Sequence, residues 1–234
     1  MNLIKGWHLP DWDTHYEATL KEINGKWEYQ HDTRDFSLSH CNNFDADAID
    51  VGGNVGFWAR DLAKRFRFVH AFEPHPDNQL AFNTNVVETN YTLYPVAVSK
   101  EKQSQVDFFS SPDECGNMSL NEWGVQTSNS QRHLETTQLK TTKVDVVTID
   151  DYNFERVGFM KVDVQGNERN VVLGAEQTLK NNNITLVLEL PMNHGRKTYE
   201  AEKKEHDTIV DILKEWGYSK KGQLRKEAVF RKWE

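Results

Sequence analysis

Ala46-Asp47-Ala48-Ile49-Asp50-Val51-Gly52-Gly53-Asn54-Val55-Gly56 carries an apolar strand into a glycine turn, and a helical pattern follows it. Val55, Trp58, Ala59, Leu62, Ala63 and Phe66 recur at helical spacing, which predicts an amphipathic helix after the turn. Outward from this unit, strands and helices alternate. Arg67 to Phe72 reads as a strand closed by Glu73-Pro74. Asp77 reads as the N-cap of a helix to about Glu88, and Tyr91 to Val98 reads as a third strand. Apolar runs at Gln105 to Phe109 and Val144 to Ile149 flank a polar stretch, about 110–142, too long for a simple turn. Val157 to Val164 predicts a buried strand, Asn167 to Leu179 a helix, and Ile184 to Leu190 another strand. A last helix ends at Gly217, and residues 218–233 read as two short strands around Gly222. Such alternation predicts an α/β fold, a mostly parallel sheet with helices on both faces. Ligands of such sheets sit beyond the carboxyl ends of the strands.

Composition sets the class. The chain has 234 residues, 28 Lys plus Arg and 36 Asp plus Glu, a net charge of −8. Aromatic residues make up 11%, too many for a disordered chain. No run approaches the roughly 18–20 apolar residues of a membrane span, and Met1 to Leu20 shows no signal-peptide pattern. Cys41 and Cys115 stand in unrelated contexts without metal-ligand spacing, which favours reduced thiols and a cytoplasmic location. Residues 1–45, with Trp7, Trp12 and Trp27, lack periodicity and read as an irregular cap or extension, with a short helix near His31 to His40 that leads directly into the first strand and is a candidate cap of the ligand pocket, with Arg34 as the residue that tests it. Residues 46–234 then form the main domain. The tail, 196–234, carries 11 basic and 8 acidic residues, an excess typical of a solvated surface; nucleic acid is not the expected partner.

The glycine turn lacks the G-x-G-x-x-G dinucleotide fingerprint, because position 54 is Asn and 57 is Phe, and no Walker A loop occurs. An acid before the glycines suits a cationic group. Glu73, 23 residues after Asp50, suits ribose hydroxyls. S-adenosylmethionine combines the two and needs no pyrophosphate site. The bland alternative is an ordinary strand–helix turn. In Met160-Lys161-Val162-Asp163-Val164-Gln165-Gly166-Asn167-Glu168, Lys161 and Asp163 share one face of the strand, as a salt bridge or as site residues. Glu168 reads equally as a helix cap.

These segments resemble the FkbM family of S-adenosylmethionine-dependent methyltransferases. The resemblance runs in order through Ala48 to Gly56, Ala71-Phe72-Glu73-Pro74-His75-Pro76, Val96-Ala97-Val98-Ser99, Met160 to Glu168, Val172-Leu173-Gly174-Ala175 and Val187-Leu188-Glu189. It implies a Rossmann-like, seven-stranded methyltransferase sheet with an antiparallel last strand. Asp50, Gly52, Asn54 and Gly56, with Gly53 and Phe57 beside them, would line the methionine end. Glu73 and Pro74 would flank the ribose, Ala97 and Val98 would border the adenine, and Asp163 would approach the transferred methyl. Residue 165 is Gln where many members have Glu, so no carboxylate role is assigned there.

Members generally methylate hydroxyls of sugars, glycans or other small molecules. The expected base is Asp163, then Glu189 and His194, with Lys161 orienting Asp163. Asp163 with Glu189 could offer oxygens to a divalent cation, which is not assigned. Gly116-Asn117-Met118-Ser119 is a candidate closing segment. A non-catalytic S-adenosylmethionine-binding scaffold, a nucleic-acid methyltransferase and an NAD-linked oxidoreductase are the competing readings. The acceptor and oligomeric state are not legible.

Overall fold

The computed structural model describes residues 1–122, 124–125, 139–190 and 199–233. Two hairpins open the chain: β1 (Asn2–Ile4) with β2 (Trp7–Leu9), and, after α1 (Tyr16–Thr19), β3 (Lys21–Ile23) with β4 (Lys26–Glu28). Helix α2 (His31–Ser39) leads into β5 (Asp47–Val51), followed by α3 (Ala59–Arg65), β6 (Phe68–Phe72), α4 (Pro76–Asn85) and β7 (Tyr91–Tyr94). Next come β8 (Ala97–Val98), β9 (Gln103–Ser110), β10 (Met118–Ser119) and β11 (Lys140–Val147). The chain continues through β12 (Val157–Val162), α5 (Glu168–Leu173), α6 (Glu176–Asn181), β13 (Thr185–Glu189), α7 (Tyr199–Glu215), β14 (Tyr218–Leu224) and β15 (Glu227–Lys232).

The main sheet has seven strands in the order β14-β15-β13-β12-β5-β6-β7. From β13 to β7 the pairs are parallel, and β15 runs antiparallel to both β13 and β14. Every residue of β5 and β12 is buried, as expected of central strands covered on both faces. A four-stranded sheet, β10-β9-β11-β8, flanks it.

Several boundaries depart from the sequence reading, each for a local reason. The helix expected from Val55 starts at Ala59, because Gly56 (φ +92°) keeps the chain in a turn. His75, not Asp77, caps α4: its Nδ1 accepts the Asp77 N–H at 3.3 Å, and Pro76 fills the first helical position. Tyr91 to Val98 is two strands in two sheets, parted at Pro95, which has no N–H to donate. The helix expected over Asn167 to Leu179 breaks at Gly174, where a Cβ would lie 2.1 Å from Ser99 O. The last hairpin turns at Arg225-Lys226. Gly222 lies inside β14, where a Cβ would meet Phe36 Cζ at 2.8 Å.

The first 45 residues are structured. Trp7, Leu9, Tyr16 and Leu20 are buried in the same core as Val55, Leu62 and Phe82. Asn85 fastens β2 to α4, accepting the His8 N–H at 2.8 Å and donating to His8 O at 2.9 Å. A second core, with Ile49, Met160, Leu186 and Phe230, fills the opposite face of the sheet.

Candidate active site

A cavity of about 1030 Å³ opens at the carboxyl ends of β5, β6, β12 and β13. Its size stands at the upper end of the range for small-molecule and cofactor sites. Gly52 closes the turn after β5 at φ +83°, and a Cβ there would lie 2.0 Å from Asp163 O. Only glycine lets the two strand ends approach so closely. Gly52, Gly53, Asn54 and Phe57 border the cavity. Gly56 does not, and its place is explained by packing, since a Cβ would meet Val86 Cγ2 at 2.6 Å.

Glu73, at the end of β6, is buried and borders the cavity. Its Oε2 accepts the Asn54 N–H at 2.8 Å and its Oε1 the His75 N–H at 2.9 Å. Burial outweighs these bonds and pushes its carboxyl up to about 7. Pro74, Val96, Ala97, Val98, Phe108 and Met118 give this end an apolar slot.

Asp50 does not border the cavity. It is fully buried beneath it, and neither carboxylate oxygen makes a hydrogen bond of good geometry. Lys161 Nζ stands 3.7 Å from its Oδ1 and 3.4 Å from Asp163 Oδ2. Burial raises Asp50 to about 6 against the pull of Lys161.

Lys161, Asp163 and Glu189 come together at the other end of the cavity. Burial disfavours the charge on Asp163, but Lys161 and its hydrogen bonds outweigh that and hold it at about 2. Burial, and then the Asp163 charge, push Glu189 well upward. Gln165 Nε2 donates to Asp163 Oδ1 at 2.8 Å and to Glu189 Oε2 at 2.7 Å, and Lys226 Nζ donates to Glu189 Oε1 at 2.7 Å. Glu168 lies beneath the turn rather than in the cavity; its carboxylate accepts the Val164 and Gly166 N–H groups. His194 lies outside the described residues. Among the described residues no group of three or more His, Cys, Asp or Glu is placed to hold a metal ion.

The walls of the cavity hold residues that no sequence motif marks. Tyr16, Tyr29 and Gln30 from the N-terminal segment border the cavity, as do Lys226 and Glu227 from the last hairpin. Tyr16 Oη accepts from Asn54 Nδ2 at 2.5 Å, and Gln30 bridges Trp58 and Glu227. Gly116, Asn117 and Met118 border the cavity, whereas Ser119 donates to Val164 O at 3.1 Å behind it. No local pattern marks the wall residues, because hairpins distant in sequence deliver them. Arg34 points away from the cavity, bonding Glu28 at 2.8 Å, Tyr29 O at 3.0 Å and Asp61 at 3.1 Å.

Comparison with known proteins agrees with this architecture. The family model described as Methyltransferase FkbM domain matches residues 50–220. Among solved structures, the methyltransferase FkbM from Methylobacillus flagellatus KT superposes with a TM-score of 0.51 at 13% identity, over 84% of this chain and 47% of that one. This chain thus spans about half the length of that protein. An rRNA methylase from Streptococcus thermophilus gives 0.44 at 11% identity, over 87% and 96% of the two chains. The magnesium protoporphyrin IX methyltransferase ChlM from Synechocystis PCC 6803, with bound S-adenosylmethionine, gives 0.42 at 10%, over 85% and 74%. A search of curated protein sequences finds no significant match.

Proposed function

Because the chain belongs to the FkbM methyltransferase family, whose methyl donor is S-adenosylmethionine, we propose that it methylates a hydroxyl of a sugar, glycan or other small molecule. The observation that carries this reading is the pairing of Asp163 and Glu189 at the strand ends, across the cavity from Glu73 and its apolar slot.

The residues fit the donor. A buried carboxylate beside an apolar slot suits a nucleoside, with Glu73 on the ribose and Pro74, Ala97 and Val98 against the base. Gly52, Gly53, Asn54 and Phe57 would face the methionine portion. Asp50, one layer down and ion-paired with Lys161, would act on it by fixing Lys161. When bound, S-adenosylmethionine supplies a methyl carbon activated by its sulfonium. The chain's own contribution is alignment of the acceptor and removal of its proton. Asp163 would hold the acceptor hydroxyl and take that proton, with Lys161 keeping the carboxylate ionised and oriented. Glu189 would bind a neighbouring hydroxyl.

Charge pairing favours a neutral acceptor. Lys161, Lys226 and Arg225 are each paired with a carboxylate, and Lys21 alone adds a cation to the lining without an ion pair among the described residues, so the wall at the strand ends offers hydrogen-bonding groups rather than a phosphate track. In this reading residues 46–234 form the catalytic domain and residues 1–45 the cap that walls the acceptor end. Two unpaired, buried cysteines accord with a cytoplasmic setting. No helix among the described residues is long and apolar enough to cross a membrane.

The test is calorimetric titration with S-adenosylhomocysteine, followed by a screen of sugar and glycan acceptors for methylated product. Loss of charge-assisted bonds in Glu73→Ala should weaken binding about 10–100-fold. Folded wild-type protein that binds no S-adenosylhomocysteine would overturn the reading. Binding without product from any acceptor would point to a scaffold.

A further inference from the structure

We propose that Gln165 is the positioning residue of the acceptor end, its single amide nitrogen locking Asp163 and Glu189 into one rigid pair. The proposal deepens the methyl-transfer reading and rests on it. An amide nitrogen carries two hydrogens, and here each goes to a different carboxylate, at 2.8 and 2.7 Å. Two acids brought side by side at strand ends repel each other unless a proton, a cation or a pair of donors stands between them. Glu189, pushed well upward, keeps its proton toward Asp163, and Gln165 adds the pair of donors without adding charge. A glutamate at this position would add a third acid and could donate one hydrogen only when protonated.

The turn that presents Gln165 is built to hold it. Its backbone is left-handed at φ +53°, a conformation that costs a non-glycine residue energy and persists only under constraint. Glu168 accepts the Val164 and Gly166 N–H groups from below. Ser119 Oγ donates to Val164 O from the side, and Gly124 lies so close that a Cβ there would stand 2.1 Å from Gln165 O.

The charges around the pair come from every neighbouring element. Lys161 of β12 faces Asp163, and Lys226 of the last turn faces Glu189. Asp50 of β5 stands behind Lys161. Glu168 of α5, Glu227 of β15, and Tyr29 and Glu114 complete the field, and burial with the Asp163 charge pushes Tyr29 upward. Asp163 and Glu189 also stand within hydrogen-bonding reach of each other, so the amide braces a pair that is already in contact, fixing both carboxyls from one side.

The experiment is nuclear magnetic resonance of the cofactor-free protein, in wild type, Gln165→Ala and Gln165→Glu. Side-chain amide hydrogens of Gln165 and carboxyl carbons of labelled Asp and Glu are followed with pH. In wild type both amide hydrogens should lie downfield of free glutamine amides and shift together as the pair titrates. In Gln165→Ala the spacing between the two carboxyl steps should change by about one pH unit or more, and in Gln165→Glu the upper step should rise. A merely structural glutamine would leave the steps where they are. Wild-type amide hydrogens at ordinary positions and insensitive to pH overturn the proposal, and this readout needs no variant to fold. Superimposable carboxyl titrations in all three proteins overturn it as well. Titration with S-adenosylhomocysteine alongside keeps the tests separate, because failure to bind it counts against the methyl-transfer reading and not against the brace.

Discussion

The Glu73 carboxylate accepts the backbone N–H of Asn54 at 2.8 Å, so the end of β6 holds the glycine turn that follows β5. That bond sits in a place where burial makes charge expensive. Glu73, Glu168 and Glu227 are all raised to about 7 by burial, and Asp50 to about 6. A carboxyl with a raised folded-state pKa stabilises the fold fully below its unfolded value, and that stability is lost as pH rises through the folded pKa. His70 and His75, pushed down chiefly by burial, act in the opposite sense. These four raised acids, with Glu189 pushed well up beside them, outweigh the histidines, so cofactor-free protein should melt higher near pH 5.5 than near pH 8. Glu168→Gln should flatten the slope of Tm against pH. A Tm that climbs steadily from pH 5.5 to 8 would contradict this account.

Gly52 and Gly53 adjoin one another but should respond differently to substitution. Gly52 combines φ +83° with a Cβ position 2.0 Å from a backbone oxygen that cannot swing away. The left-handed backbone alone disfavours alanine by about 1–2 kcal/mol, and the clash adds to it. Gly53 has no such φ, and its nearest neighbour is Phe82 Cε2 at 3.1 Å, a ring that can shift slightly. Gly52→Ala should therefore lower the unfolding free energy clearly and abolish S-adenosylhomocysteine binding. Gly53→Ala should keep the fold. Chemical denaturation with calorimetry on both variants checks the pair, and equal stability loss in the two would contradict it.

The central sheet was legible because its signal is local. Apolar strands closed by Gly52-Gly53, Glu73-Pro74 and Gln165-Gly166 announce themselves within ten residues each, and the acids at their ends follow from the fold rule. The acceptor wall was not legible. Tyr29 and Glu227 are 198 positions apart in the chain, and only the hairpin β14–β15, running antiparallel beside β13, brings them to one cavity. Gln165 stood in plain view, but its double donation depends on where β13 places Glu189, a register that no single segment encodes. Burial of Asp50 below the cavity follows likewise from the approach of β12 to β5.

Arg34 ties the wall to the sheet. Its guanidinium is buried and bonds Glu28 and Asp61 across the gap between α2, the β4 end and α3, while holding Tyr29 O. Both carboxylates are partly exposed, so losing the arginine should cost on the order of 2–3 kcal/mol rather than the full penalty of a dry ion pair. Arg34→Lys should recover little, because one ammonium cannot reproduce the fork. S-adenosylhomocysteine should still bind to the folded fraction, since Arg34 stands away from the glycine turn, whereas acceptor turnover should fall as Tyr29 loosens. Denaturation curves and product formation measured on the same preparations check both halves. Unchanged stability would show that the network is only a surface arrangement.

The two carboxylates at the acceptor end should separate by function. Asp163 is held ionised at about 2, chiefly through Lys161, whereas Glu189 is pushed well up by burial and by Asp163 itself. The group that is charged at every working pH is the better permanent hydrogen-bond acceptor for the incoming hydroxyl. Because the hydroxyl proton becomes strongly acidic once the new bond forms, a weak base suffices to receive it. Asp163→Asn should therefore lower turnover by about 10²–10⁴-fold, the usual range for a lost general base, with S-adenosylhomocysteine affinity close to wild type. Glu189→Gln should act mainly on acceptor KM, since the carboxamide keeps the shape and an acceptor oxygen for one hydroxyl. Steady-state kinetics with the identified acceptor decide between them. Should Glu189→Gln lose turnover while Asp163→Asn keeps it, the base is Glu189, and the low acid constant of Asp163 reflects only its ion pair with Lys161.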